Sequence, residues 1–330
     1  MKYRKADAKD YARQHLRGVW AAALTPFTED LRFDEEGFRR NMRHWIRDLA
    51  LDGLFVGGKQ GEFYAMSLEE RKRNFEIAVE ETQAAGNISG TMLSCSDQSL
   101  DTVVELARHA QNVGADYVVV HTPLLYFGAH TDETVFEYYR YIAEKVEIGV
   151  ALWNQPPDCG YVISPELCVR MAAGIPNIVA IKYSVPREIY SKLTRLAGDK
   201  LIVSSSSEEE WLDNIVELGW QVYLCSTPPF LMQTKHDRRM NEYTALAMKG
   251  ELERAREVRA SLEPVRQALK KSRPAGKPQA QQKYWQQLLG QAGGPVRRPL
   301  LQLTDPEKAA IRSAFEGCGL ALGTAPARSL

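Results

Sequence analysis

The chain lacks a surplus of either charge: 42 Lys and Arg stand against 42 Asp and Glu, a formal net charge of zero. Nucleic acid or an anionic membrane face would find no basic field to meet, so neither is expected as a partner. Long apolar runs are missing too, and none approaches the roughly 18 residues of a membrane span. Met1 to Arg17 is polar, with no apolar core segment, so no signal peptide is expected. Cysteine is sparse. The five residues (Cys95, Cys159, Cys168, Cys225, Cys318) are scattered, odd in number and form no CxxC pair. That argues against a disulfide frame and a zinc site, and for reduced thiols in a cytoplasmic protein. No GxGxxG follows the first strand-like run, and no glycine loop ends in GK[ST], which removes the dinucleotide and Walker A readings.

What is present is ordinary globular material, 44% hydrophobic and 25% charged over 330 residues. Strand-like apolar runs occur at Val19 to Phe27, Gly53 to Gly58, Ile88 to Ser94, Tyr117 to Pro123, Ile148 to Asn154, Ile178 to Lys182, Lys200 to Ser206 and Gln221 to Ser226. Helical spacing fills Asp34 to Leu51, Ser67 to Ala84, Ser99 to Val113, Thr131 to Lys145, Ser164 to Ala173 and Glu208 to Leu218. Ser67 reads as an N-cap with Glu70 in the capping-box position. Eight strands with helix-length segments between them imply a parallel sheet closed into a (β/α)8 TIM barrel.

After the eighth strand the pattern changes. Met240 to Lys249, Glu251 to Leu269, Pro278 to Leu289 and Asp305 to Gly317 read as helices with no strand between them. The expected organisation is a helical N-terminal extension over 1–17 packing through Tyr3, Tyr11 and Leu16, a barrel over 18–230, a C-terminal helical region over 231–322 and a tail over 323–330.

In such a barrel the strand C-termini converge on one mouth, where active sites lie. The sixth strand, Ile178-Val179-Ala180-Ile181, ends in Lys182. A lysine partly desolvated there can lose its proton and attack a carbonyl, whereas a surface lysine would simply snorkel into water. Gly57-Gly58-Lys59-Gln60-Gly61-Glu62 follows the second strand. Its glycines permit a tight turn that offers backbone N–H groups to a carboxylate or phosphate. His121, at the fourth strand's end, is a candidate for acid–base work or for a structural hydrogen bond. Cys95 reads as packing and Glu62 as a brace for the loop. No His, Asp or Glu set has metal-ligand spacing.

These stretches, in their order, resemble the dihydrodipicolinate synthase and N-acetylneuraminate lyase family of class I aldolases. The likeness rests on Leu24-Thr25-Pro26-Phe27, Gly58-Lys59-Gln60-Gly61-Glu62, His121-Thr122-Pro123, Trp153-Asn154-Gln155-Pro156, Ile178 to Lys182 and the helical C-terminal region. It implies a Schiff-base lyase, an aldolase, hydratase-aldolase or dehydratase acting on pyruvate or another 2-oxo acid. It implies a homo-oligomer, dimer or tetramer, and no cofactor or metal. The imine-forming lysine falls on Lys182. The substrate-binding set falls on Gly58, Lys59, Gln60 and Gly61, with Asn154, Asp158 and His121.

The departures carry equal weight. The family's proton-relaying tyrosine falls on Trp153, whose indole N–H donates a hydrogen bond but shuttles no proton near neutral pH. Its loop threonine falls on Lys59. Pro123-Leu124-Leu125 replaces Pro-Tyr-Tyr, and Tyr126 stands one residue further on as a substitute for the lost tyrosine. Asp158 falls where dihydrodipicolinate synthase binds a second carboxylate through arginine, and its opposite charge argues against that reaction. Trp153, Tyr126, Phe127 and Tyr183 are expected to crowd the mouth, either to stack on a flat substrate or to fill space above the barrel core. The alternative is a catalytically degenerate member that binds a small carboxylate or plays a regulatory or structural role.

Overall fold

A computed structural model describes the chain except for residues 125–126, 225–228, 322–330 and the side chain of residue 127. Eight parallel strands form the centre: β1 (Gly18–Ala22), β2 (Gly53–Val56), β3 (Gly90–Ser94), β4 (Tyr117–His121), β5 (Gly149–Asn154), β6 (Ile178–Tyr183), β7 (Ile202–Ser204) and β8 (Val222–Leu224). They pair in the order β7-β6-β5-β4-β3-β2-β1-β8. β8 lies against β7, where Leu224 N–H donates to Ser204 Oγ (2.9 Å), so the sheet closes on itself. Almost every strand residue is buried, as expected where side chains fill the inside of a barrel and helices cover the outside. The fold is a (β/α)8 barrel.

The helices are α1 (Ala8–His15), α2 (Glu35–Arg43), α3 (Leu68–Ala84), α4 (Leu100–Val113), α5 (Asp132–Glu144), α6 (Pro156–Cys159), α7 (Pro165–Gly174), α8 (Arg187–Ala197) and α9 (Trp211–Leu218) around the barrel. α10 (Arg239–Met248), α11 (Leu252–Ser261), α12 (Glu263–Lys271), α13 (Pro278–Leu288) and α14 (Asp305–Glu316) follow β8. Ser67 and Glu70 form the expected capping box at the start of α3. None of the described helices is long and apolar enough to cross a membrane.

Three details differ from the pattern read in the sequence. α8 follows β6 where no helix was placed; Pro186 sits at its N-cap, a position that needs no backbone N–H, so the proline starts the helix. The single helix expected over Glu251 to Leu269 divides at Leu262, because Pro264 cannot continue the hydrogen-bond ladder of α11. The helix after β1 widens into a π-helical turn over His44–Asp48 before it ends.

The N-terminal segment closes the barrel floor. Tyr3 and Tyr11 stack (ring centres 4.3 Å apart) beside Tyr117 at the foot of β4. Tyr3 Oη accepts from Gly149 N–H (2.9 Å), and Tyr11 Oη donates to Asp116 Oδ1 (2.9 Å). Ala8, Ala12 and Leu16 supply the rest of the buried face.

Candidate active site

β6 carries a register shift opposite Val150 and Ala151, which leaves Val179 as an extra residue. Because side chains alternate along a strand, such a bulge re-aims everything after it. Beyond it, Lys182 pairs with Trp153 on β5, and Trp153 pairs with His121 on β4. One rung of the barrel therefore holds His121, Trp153 and Lys182 side by side at the C-terminal end.

Lys182 is only 2% exposed. Its Nζ lies 4.6 Å from the ring centre of Phe55 and 5.2 Å from that of Trp153, and the two rings meet edge to face. The ammonium position is thus walled by aromatic faces in the barrel interior. Phe55 was not anticipated from the sequence, although alternation along β2 would have turned it inward. Gly58 explains how the loop after β2 lies against it: a Cβ there would come within 2.8 Å of the Phe55 ring. Gly57 takes φ +75°, in the left-handed region that a side chain resists.

The loop itself is a 3-10 turn over Lys59–Gly61. Gly61 N–H returns to Gly58 O (3.0 Å) and Glu62 N–H to Lys59 O (3.1 Å). Gln60 is half-buried within this turn. Lys59 reaches across the mouth to ion-pair with Asp158 in α6, and its Nζ lies 5.5 Å from the Trp153 ring centre. The same Asp158 oxygen is 3.3 Å from His121 Nε2. Burial opposes ionisation of Asp158, but the hydrogen bonds from His121 and Lys59, with Lys59's charge, hold its carboxyl below the usual aspartate range. His121 Nδ1 is 2.8 Å from the Thr122 carbonyl oxygen. The His121 ring is edge-on to Trp153, 4.9 Å between centres. Trp153 Nε1–H is buried and has no hydrogen-bond partner among the described residues.

A cleft of about 570 Å³ opens beside these residues, lined by Lys59, His121 and Asp158 together with Phe63, Arg71 and Asp97. Among the described residues no group of His, Cys, Asp and Glu is arranged to hold a metal ion.

Several expected site residues lie elsewhere. Asn154 follows Trp153 and therefore faces the opposite way. It is fully buried, its amide donates to Thr122 Oγ1 (3.0 Å) and Tyr161 O (2.9 Å), and its Oδ1 accepts from Ile163 N–H (3.1 Å). It ties the strand end to the following loop instead of facing the mouth. Tyr183 is turned outward by the same alternation, with its hydroxyl on Ile163 O, so it does not crowd the mouth. Cys95 is fully enclosed, and burial pushes its thiol pKa up. Tyr126 and the Phe127 side chain lie outside the described residues.

Glu62 braces the loop from behind, through partners the sequence did not single out. Glu62, at φ +58°, ion-pairs with Lys283 of α13 (2.6 Å), both side chains being 0% exposed. Lys283 Nζ also donates to Pro295 O (2.8 Å) and sits 4.0 Å from the Phe27 ring centre. Arg297 N–H donates to the other Glu62 oxygen (2.8 Å), and its guanidinium grips Glu70 at the start of α3 (2.6 and 2.7 Å). The C-terminal helices thereby hold the glycine loop.

Residues 15–317 match the model of the dihydrodipicolinate synthetase family. The chain belongs to this family. The 4-hydroxy-tetrahydrodipicolinate synthase of Methanothrix thermoacetophila is 30% identical over 302 residues, 91% of this chain and 96% of that one. An uncharacterized DapA-like lyase of Thermococcus kodakarensis is 35% identical over 167 residues, 51% of this chain and 54% of that one. A crystal structure of dihydrodipicolinate synthase superposes with a TM-score of 0.78 at 25% identity, covering 92% of this chain and 99% of the other. The family is one of lyases, and its barrel frame is the one described above.

Proposed function

We propose that the protein is a lyase that forms an imine between Lys182 and a 2-oxo acid. The observation that carries this reading is the placement of Lys182: a nearly enclosed amine at the end of β6, between the faces of Phe55 and Trp153, in the mouth of the barrel. The neutral amine adds to the ketone carbon. Loss of water then gives an iminium that accepts the electron pair released when an adjacent bond breaks, or supplies an enamine when one forms. The turn at Gly58 to Gly61, with Lys59, lies across the mouth to receive the carboxylate. The unpartnered Trp153 N–H offers a further donor to a ligand oxygen. Family membership supports a homo-oligomer as the working form.

The test is reductive trapping. Pyruvate plus borohydride should add the mass of a lactyl group to the peptide containing Lys182, and Lys182→Ala should show no addition. If a broad panel of 2-oxo acids leaves Lys182 unmodified, the proposal is wrong. Trp153 in the place of the relay tyrosine favours a second reading, a barrel that binds a small carboxylate without turnover. Thermal stabilisation by 2-oxo acids without trapping would select it.

A further inference from the structure

The Lys59–Gly61 turn is held at both ends by one face of α13. At its far end Lys283 Nζ meets Glu62 Oε1 (2.6 Å), while Arg297 N–H donates to Glu62 Oε2 (2.8 Å). Glu62 keeps φ at +58°, a left-handed conformation that a residue with a side chain holds only where its surroundings impose it. At the near end Gln279 Nε2 donates to Lys59 O (3.4 Å). Gln279 and Lys283 are four residues apart, so they share a face of the helix. A peptide unit is planar and trans. The hold on Lys59 O therefore also sets the N–H of the same unit, that of Gln60, to point away from the Gln279 amide. On the barrel side the turn has little room to shift. A Cβ on Gly61 would come within 2.9 Å of Thr25 Oγ1 and 3.2 Å of Ala23 O, just after β1. The Phe27 ring of the same segment carries both the Lys283 ammonium (4.0 Å from its centre) and the Arg297 guanidinium (4.1 Å).

We infer that Lys283 and Gln279 are positioning residues for substrate choice: they set the direction of the turn's N–H groups, and through them the preference of Lys182 for a ketone that carries a carboxylate. The inference rests on the imine at Lys182 and on the turn as the seat of the carboxylate. Neither residue touches the ligand. Lys283 acts through the Glu62 carboxylate and Gln279 through the Lys59 carbonyl. The wall of Lys182 itself, Phe55 and Trp153, belongs to β2 and β5 and is independent of α13. Loosening the turn therefore removes the advantage of a carboxylate and leaves the amine able to take a plain ketone.

The test compares borohydride trapping of the full chain by pyruvate and by acetone, the same methyl ketone without the carboxylate. Both rates are read at ketone concentrations well below saturation, and their ratio is the preference. The double variant Glu62→Gln, Lys283→Met removes both buried charges together. Its pyruvate-to-acetone ratio should fall at least tenfold, with acetone trapping within threefold of wild type. Gln279→Leu, at a half-buried position, should lower the ratio at least threefold and carries the comparison if the double variant folds poorly. A general loosening of the fold would lower both rates by the same factor. Equal losses with the two ketones, or a ratio unmoved in the variants, would overturn the inference alone. A wild type that traps neither ketone sinks the imine at Lys182, and one that traps both alike sinks the turn as the seat of the carboxylate; either result takes the inference with it.

Discussion

Replacing Lys283 by methionine removes one half of an ion pair that is wholly enclosed. The partner, Glu62, is 0% exposed and would keep only the Arg297 backbone N–H (2.8 Å). Breaking a buried pair from one side strands a charge and costs about 3–5 kcal/mol. Lys283→Met should therefore lower the stability of the chain by that amount in denaturant unfolding. The double variant Glu62→Gln, Lys283→Met should recover most of the loss, because no charge is then left behind. Titration supplies an independent measure. Burial pulls the Lys283 pKa from 10.5 to about 8, the charge of Glu62 opposing the shift. Below pH 8 both folded and unfolded chains hold the proton, and the full cost of enclosing the ammonium is present. Between pH 8 and 10.5 the folded chain releases it while the unfolded chain still binds it, so this group's contribution to stability rises with pH through that window. That rise should be missing from Lys283→Met. A single variant that loses less than about 1 kcal/mol, or a double variant no more stable than the single one, would refute the reasoning.

Gly58→Ala should disturb Lys182 without unfolding the barrel, since the added Cβ would press to within 2.8 Å of the Phe55 ring. Its pyruvate–borohydride trapping rate should fall at least tenfold, and an unchanged rate would remove Phe55 from the support of Lys182. Deleting residues 1–16 strips Tyr3, Tyr11 and Leu16 from the barrel floor and leaves Gly149 N–H without Tyr3 Oη. A stability loss of at least about 3 kcal/mol is expected, read as a lower melting temperature. Trp153→Tyr returns a hydroxyl to the position of the family's relay. Exchange of the pyruvate methyl protons with deuterated water, followed by NMR, should accelerate at least tenfold; no acceleration would place the proton transfer elsewhere.

The sequence is most readable where burial imposes a simple rule. Eight apolar runs, each too short for a core helix, specify parallel strands covered on both faces, and the last residue of the sixth run is then forced to the mouth. The same rule, carried one residue further, separates Trp153 from Asn154 and Lys182 from Tyr183, because neighbours on a strand face opposite ways. Proline was harder to place: Pro186 begins α8 and Pro264 divides α11 from α12, opposite consequences of the same missing N–H. Glu62 with Lys283 and Asp158 with Lys59 were not legible as pairs. Nothing local distinguishes a charge that will be buried against a distant partner from one that will be solvated.

The rung His121–Trp153–Lys182 separates two tasks that a relay tyrosine would join. Neighbouring strands lie about 4.8 Å apart, so the three residues are fixed at successive positions with the indole in the middle. On one side of the indole stands the nearly enclosed amine of Lys182, against the faces of Phe55 and Trp153. On the other stands an imidazole held between a carbonyl and a carboxylate, with Lys59 fixing the carboxylate in turn. Trp153 passes no proton between them. Under the proposed imine reading, the substrate itself joins the two sides: its imine end lies at Lys182 and its oxygen two carbons away is directed toward His121. That reading makes imine formation depend on Lys182, Phe55 and the glycine loop, and cleavage or addition on His121 and Asp158. Substitutions on the two sides should therefore divide cleanly, the first group lowering trapping and the second leaving trapping intact while lowering turnover.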